Sequence, residues 1–160
     1  DFVSDANAPT KTAQNTRDQD GDGFELEFSW RPVSQLRLSS SYSMQDATDA
    51  KTNVVVQDAP GRQIKLNADW EFYHNWFFNA QLDRVSNRHR AITDKRAAID
   101  DYTWVNFTLR AKDILPSLDL SLAVRNATDA DAREPSSGRI AEDYPLEARS
   151  AWVELKYSFK

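Results

Sequence analysis

The sequence predicts an all-β fold, an antiparallel meander of about seven strands, each long enough to cross a membrane. Three observations point there. Seven segments alternate apolar and polar residues with a period of two, the connections between them alternate between short and long, and the last segment runs out on an aromatic residue almost at the end of the chain. In that last segment Ala151, Val153, Leu155, Tyr157 and Phe159 share one face, and Trp152, Glu154, Lys156 and Ser158 share the other. Such a strand has two chemically different faces, one of which must meet water or polar partners.

Six earlier segments repeat the pattern. In 24–31, Phe24, Leu26, Phe28 and Trp30 oppose Glu25, Glu27, Ser29 and Arg31; in 35–44, Leu36, Leu38, Tyr42 and Met44 oppose Arg37 and a run of serines. Ile64, Leu66, Ala68, Trp70 and Phe72 oppose Lys65, Asn67, Asp69 and Glu71. Trp76, Phe78, Ala80 and Leu82 oppose Asn79, Gln81 and Asp83, with Phe77 as the exception. The last two segments place Val105, Phe107 and Leu109 against Asn106, Thr108 and Arg110, and Leu118, Leu120, Leu122 and Val124 against Asp119, Ser121 and Arg125. None has the 3.6-residue period of an amphipathic helix.

Short turns are expected at 32–34, 73–74 and 112–116, and long polar loops at 45–62, 84–99 and 126–147. In a meander this alternation gathers all short turns at one end of the sheet and all long loops at the other, as in transmembrane barrels with short periplasmic turns and long external loops. Every proline and all four glycines are expected outside strand interiors. Trp30, Phe72, Tyr73, Trp76, Tyr157 and Phe159 fall at the short-turn end, where an interfacial aromatic girdle belongs. The predicted location is therefore the bacterial outer membrane.

Composition is compatible with this. No run of about 18 apolar residues provides a membrane helix, and low mean hydropathy is usual where half of each strand faces a wet lumen. A net charge of -5 with both signs dispersed argues against nucleic acid as a partner. The absence of cysteine removes thiol chemistry. The first residues, Asp1 to Asp5, contain neither a basic region nor an apolar signal core and read as an internal start. Seven strands is an odd count, and an open sheet would expose two backbone edges to lipid, so the chain reads as one portion of a larger barrel.

Several segments resemble TonB-dependent outer-membrane receptors. Gly23 to Pro32 is similar to their G-x-E-x-E-x-x-W-x-P strand and turn, Ala59 Pro60 Gly61 Arg62 to their A-P loop-to-strand entry, and Val124 to Asp129, followed by Arg133 Glu134 Pro135 and Tyr144 Pro145, to their penultimate strand and last external loop. The chain departs from the family at Ala127 and Thr128, and again at Leu146 to Arg149. The resemblance implies that residues 1–160 are the C-terminal part of a barrel of about 22 strands, with 1–21 an external loop, 22–160 seven strands, and the plug domain outside this sequence. It also implies energy-coupled uptake of a scarce ligand such as a ferric siderophore. The implied partners are the N-terminal plug, TonB through that plug, outer-membrane lipid and lipopolysaccharide, the barrel-assembly machinery and a small-molecule ligand such as an iron chelate. Val153, Leu155, Tyr157 and Phe159 resemble the terminal signal by which such barrels are recognised for assembly.

Binding chemistry is expected in the loops. Arg84, Arg88, His89 and Arg90 form a basic cluster suited to an anionic ligand, since guanidinium groups grip carboxylate or phosphate through paired bonds. The same residues equally suit lipopolysaccharide phosphates or neighbouring acids. Asp18 to Gly23 opens like a calcium loop, but Leu26 and Ser29 occupy its ninth and twelfth positions, so no EF-hand is expected. No catalytic residues, metal site or cofactor are predicted, and a hydrolase using His89 as base has no supporting constellation. Two other readings remain: an eight-stranded structural or adhesive barrel, which needs a strand within 1–21, and a soluble β-sheet binding module with a second layer on the apolar face.

Overall fold

The computed structural model describes residues 18–50, 54–55, 60–90, 94–136 and 142–159, with the backbone alone of 2–4 and 11–13. Expectations attached to Pro9, Ala59, Gly138 and Lys160 fall outside these residues. The described elements are all strands: β1 (Phe2–Ser4), β2 (Lys11–Ala13), β3 (Gln19–Val33), β4 (Leu36–Asp49), β5 (Pro60–Tyr73), β6 (Trp76–Arg88), β7 (Tyr102–Leu115), β8 (Leu118–Arg125), β9 (Arg133–Glu134), β10 (Tyr144–Pro145) and β11 (Ser150–Tyr157). Seven of them form one antiparallel sheet in the order β11, β8, β7, β6, β5, β4, β3, each beside its neighbour in the meander. β1 pairs with β2 and β9 with β10 as separate two-stranded sheets. β1 and β2 therefore add no eighth strand beside β3.

Register turns the alternation of single strands into a property of the whole sheet. Trp30, Leu38, Ala68, Ala80, Phe107, Val124 and Ala151 lie side by side, one from each strand. A second apolar row runs through Leu36, Trp70, Phe78, Leu109, Leu122 and Val153. On the opposite face Glu27, Ser41, Lys65, Asp83 and Trp104 share a row, as do Glu71, Phe77, Arg110, Ser121 and Glu154. A slip of one residue anywhere would exchange the two faces of a strand.

This sheet has almost no interior. Among the described residues the buried apolar side chains are Ile99, Ala111 and Ala132, whereas Phe28 is 59% and Leu155 64% exposed. The accessible surface is 11962 Å² for 18.3 kDa, against about 8,100 Å² expected for a compact monomer of that mass. Leu26, Trp30, Leu66, Trp70 and Val153 of the apolar face are exposed as well, so the second layer that a soluble sandwich requires is absent among the described residues.

The structure moves several boundaries. The turns are at Ser34 and Gln35, His74 and Asn75, and Pro116 and Ser117, each somewhat later than the sequence suggests. Pairing runs on past the last alternating side chain because the backbone ladder does not need apolar side chains. Asn75 and Ser117 take the left-handed conformation (φ 62° and 64°) that tight hairpins demand. Pro32, Pro60 and Pro145 lie inside strands, contrary to expectation, at positions that tolerate a missing amide. Pro32 sits where the register of edge strand β3 shifts, and Pro60 opens β5. Gly21, Gly23 and Gly61 are strand residues too. Two of these have a steric reason: a Cβ on Gly23 would lie 2.6 Å from the Met44 carbonyl oxygen, and one on Gly61 2.5 Å from Asn87 Nδ2.

Gly23→Ala should therefore lower stability by about 1–3 kcal/mol through overpacking. Gly21→Ala, whose Cβ would meet nothing nearer than 3.5 Å, should be close to neutral. Urea unfolding of the two variants side by side checks this, and equal midpoints would contradict it.

Candidate functional site

At the end of the sheet opposite the tight turns, the loop between β6 and β7 is tied to the long segment between β8 and β11. Arg90 grips Asp143 with both terminal nitrogens, Nη1 at 2.6 Å from Oδ1, while its Nε donates to the Ala97 carbonyl at 2.6 Å. Arg96 donates to Asp94 through Nε at 2.9 Å and Nη2 at 2.6 Å, and reaches across to the Ser136 carbonyl at 3.0 Å. Asp143 also accepts from the Ser136 amide at 3.1 Å. The Arg90 and Asp143 side chains are each only 10% exposed. Two of the three buried apolar residues, Ile99 and Ala132, belong to these same loops.

The carboxylates are set by this arrangement. Hydrogen bonds from the Arg96 side chain and then its amide lower Asp94 from 3.8 to about 2. The Arg90 guanidinium, helped by the Ser136 amide, holds Asp143 well below the ordinary carboxylate range. The acids in turn raise Arg90 and Arg96, chiefly through side-chain hydrogen bonds. Arg88 forms a second tie: it is buried, donates to the Asp100 and Arg133 carbonyls, and lies 4.7 Å over the Tyr102 ring with Glu134 at 3.7 Å.

Asn126, 1% exposed, anchors the β8–β11 segment. Its Nδ2 donates to the Ala130 carbonyl at 2.9 Å and the Glu147 carbonyl at 3.1 Å, and its Oδ1 accepts from the Ala130 amide at 2.9 Å. Its own amide donates to Asn106 Oδ1 at 2.9 Å, and its φ of 45° turns the chain out of β8. Asp129 then receives the Arg149 amide at 3.1 Å, closing the base of the loop. The asparagine and aspartate of the Val124 to Asp129 motif are thus its working atoms.

The basic cluster read from the sequence divides into different environments. Arg90 spends its donors inside the clamp, Arg88 turns its two terminal nitrogens inward while its buried Nε has no partner, and His89 is exposed. Arg84 lies on the apolar face, opposite Ile64, with Thr103 Oγ1 at 3.2 Å and Asp101 at 3.6 Å. Its neighbour on that face, Arg62, paired with Met44 and Ser86, was not singled out by sequence. Asp94, Arg96 and Asp143 also escaped notice, because loop acids far apart in sequence carry no periodic signal. Asp20 and Asp22 sit on one face of an extended strand, a geometry that cannot wrap a cation. His74 and His89 stand at opposite ends of β6, and among the described residues no three His, Cys, Asp or Glu side chains converge as metal ligands. Val153, Leu155 and Tyr157 line the apolar face of β11 and Phe159 follows, its ring 4.8 Å from that of Tyr157.

Replacing Asn126 by alanine removes three side-chain hydrogen bonds and should cost about 2–4 kcal/mol, read as a lowered urea midpoint. Acid should release the clamp in a defined window. Because both carboxylates are depressed in the folded state, their contribution is complete above about pH 4, declines as pH falls through 3.8 towards 2, and is lost below the folded values. Spin labels at exposed Ala98 and Ala148 should give a narrow distance distribution down to about pH 4 that broadens between pH 4 and 2; broadening near pH 6 would mean that other groups hold the loops.

Comparison with known proteins agrees with the fold. No family model matches the chain, and no curated protein does. Among solved structures, the chain is similar to one described as copper transporter OprC, with a TM-score of 0.74 and 16% identity over 99% of this chain. It spans 27% of that chain's length, so the seven-stranded meander corresponds to a segment of an outer-membrane barrel.

Proposed function

We propose that this chain is a wall segment of a TonB-dependent outer-membrane transport receptor, in which the apolar face meets lipid, the polar face lines the lumen, and the clamped loops lie outside the cell. The observation that carries the reading is the row of seven apolar side chains, Trp30 through Ala151, with no protein layer over it among the described residues. At about 4.8 Å per strand step this face is about 29 Å wide, more than a soluble monomer leaves bare. Hydrocarbon is the solvent that such a face requires. The free backbone edges of β3 and β11 fit a wall that continues on both sides.

The polar face supports a filled lumen over an open pore. Its charges carry both signs and already cross-link strands: Asn79 Nδ2 donates to Asn67 Oδ1 and Asp69 Oδ1, each at 2.8 Å. Lys112 lies 5.1 Å from the Phe77 ring, and Arg125 5.9 Å from that of Trp152. Such a surface suits contact with a plug, with uptake driven through TonB and a ferric siderophore as the ligand class. Transport and not bond chemistry is the activity, and the solved neighbour, described as a copper transporter, supports the transport class without fixing the cargo.

The test has two arms on the full-length protein. Leu82→Arg, near the middle of β6 on the apolar face between Leu66 and Val105, should cost roughly 2–4 kcal/mol in a bilayer, whereas Leu120→Arg, in the row of Trp76 near the turn end, should cost no more than about 1 kcal/mol and Asp119→Asn on the other face should be nearly silent. Cells expressing the protein should take up a ferric siderophore only while the inner membrane is energised. Recovery of the protein in the soluble fraction without detergent would refute the membrane assignment, and uptake that survives an uncoupler would refute energy coupling.

A further inference from the structure

The arginines at the end of β6 and in the loop after it are occupied by groups of the chain itself, many of them from the β9–β10 pair. Arg90 directs both terminal nitrogens at the one carboxylate of Asp143, the residue before β10, with Nη1 at 2.6 Å from Oδ1. Arg96 lies 3.4 Å from the same carboxylate, donates to the Ser136 carbonyl at 3.0 Å, and holds Asp94 through Nη2 at 2.6 Å. Arg88 donates to the Arg133 carbonyl and has Glu134 at 3.7 Å. Arg88 also fixes where these contacts lie. Its guanidinium is 4.7 Å over the ring of Tyr102, whose hydroxyl is 3.4 Å from Glu134, and register places Tyr102 on the polar face beside Val85 and Gln63. The β9–β10 pair is thus folded inward over the polar face at the loop end. This closed arrangement is not fully satisfied. Arg88, its side chain 3% exposed, leaves Nε without a partner among the described residues, and Trp104, the next residue of β7 on the same face, leaves its buried Nε1 unpaired as well. A buried donor without an acceptor penalises the state that buries it.

We infer that Arg90 and Arg96 form a binding site for a ligand bearing several carboxylates, that Asp143 and Asp94 fill this site while ligand is absent, and that ligand lifts the β9–β10 pair by taking their place. The inference deepens the transport reading and rests on its placing the polar face in the lumen. Chemistry selects the class. The two bonds from Arg90 to Asp143 are the paired grip that a guanidinium gives any carboxylate, so a ligand carboxylate can replace Asp143 without moving the arginine. A single carboxylate competes poorly, because Asp143 is tethered and so present at a high effective concentration. Two or more on one molecule offset that advantage by displacing Asp143 and Asp94 together. Once Asp143 is released the pair has lost its shortest tie, and lifting it gives water access to the two unpaired donors. A ligand that binds only the open form shifts the population towards it, and its apparent affinity is reduced by the fraction of protein already open. The self-supplied carboxylates therefore weaken binding as well as closing the lumen.

The experiment uses the full-length protein in detergent, spin-labelled through Ser86→Cys on β6 and Tyr144→Cys on β10, with propane-1,2,3-tricarboxylate as the probe. Its trimethyl ester and inorganic phosphate serve as comparisons, and calorimetry measures affinity on unlabelled protein. The expected result is one narrow distance without probe and a longer, broader one with the tricarboxylate, at concentrations where ester and phosphate leave it unchanged. Asp143→Asn should open the pair without probe and bind the tricarboxylate at least tenfold more tightly, whereas Arg90→Gln should open it too but bind at least tenfold more weakly. Opposite affinities in two variants with the same open pair separate a self-occupied site from a purely structural clamp. Unchanged or weaker binding by Asp143→Asn would overturn the inference, as would a distance that ignores the probe or an equal response to ester or phosphate. A heat-modifiable band on unboiled gels shows that each variant is folded. A protein recovered in the soluble fraction without detergent would instead overturn the membrane reading beneath the inference, which separates the two failures.

Discussion

Everything in this molecule depends on the ladder of backbone hydrogen bonds keeping seven strands in register. Single strands of alternating residues specify two faces but not which residues become neighbours; pairing does that. Once Trp30 is set beside Leu38 and Leu38 beside Ala68, each later pair must follow, and an apolar surface spans the sheet without a polar interruption in that row. The three shifts in register, between Trp30 and Val33, Glu71 and Tyr73, and Ala111 and Leu115, all lie at the turn end, so the irregularities are kept away from the middle of the sheet. The last of them is shaped by Asp113, with φ of 52° and its amide donating to Asp119 Oδ1 at 2.9 Å.

The two ends of the sheet are held by different physics. At the turn end aromatic side chains meet at close range, with ring centroids 5.7 Å apart for Trp70 and Phe72 and 6.4 Å for Phe72 and Trp76. At the loop end ion pairs and a buried asparagine take over, and Arg90, Arg96, Asp94 and Asp143 knit together segments that are remote in sequence. Partial burial matters here. Exposed pairs such as Arg125 with Glu147 contribute little because water screens them, whereas the sheltered Arg90 and Asp143 pair is made directional by two parallel bonds.

The seven strands of the main sheet, their order and the facing of their alternating residues were legible in the sequence, because period two is a direct imprint of a sheet with unlike faces; the short pairs β1–β2 and β9–β10 were not. Strand ends were less so: β3 begins at Gln19 and not Phe24, since Asp20 and Asp22 pair with Thr48 and Asp46 as readily as apolar residues would. Prolines and glycines misled for a related reason, as edge positions and tight strand approaches accept residues that a central strand rejects. In the loops, sequence revealed the basic residues of the cluster but not their partners. Arg88 and Arg84 are four positions apart, yet one is buried over Tyr102 and the other lies on the apolar face, a separation that follows the left-handed Asn87 between them (φ 57°).

Sheet order that equals chain order has a kinetic consequence. Every pairing in the meander joins consecutive strands, so the sheet can grow hairpin by hairpin, and three of the six closures need only two-residue turns. The entropic cost of closing a loop rises with the logarithm of its length, which singles out β11, reached only after the segment from Asn126 to Arg149. Asn126 shortens that search. By holding Ala130 and Glu147 at once it brings the two ends of the segment together beside β8, so the terminal strand is delivered to its partner as the near arm of a preformed loop.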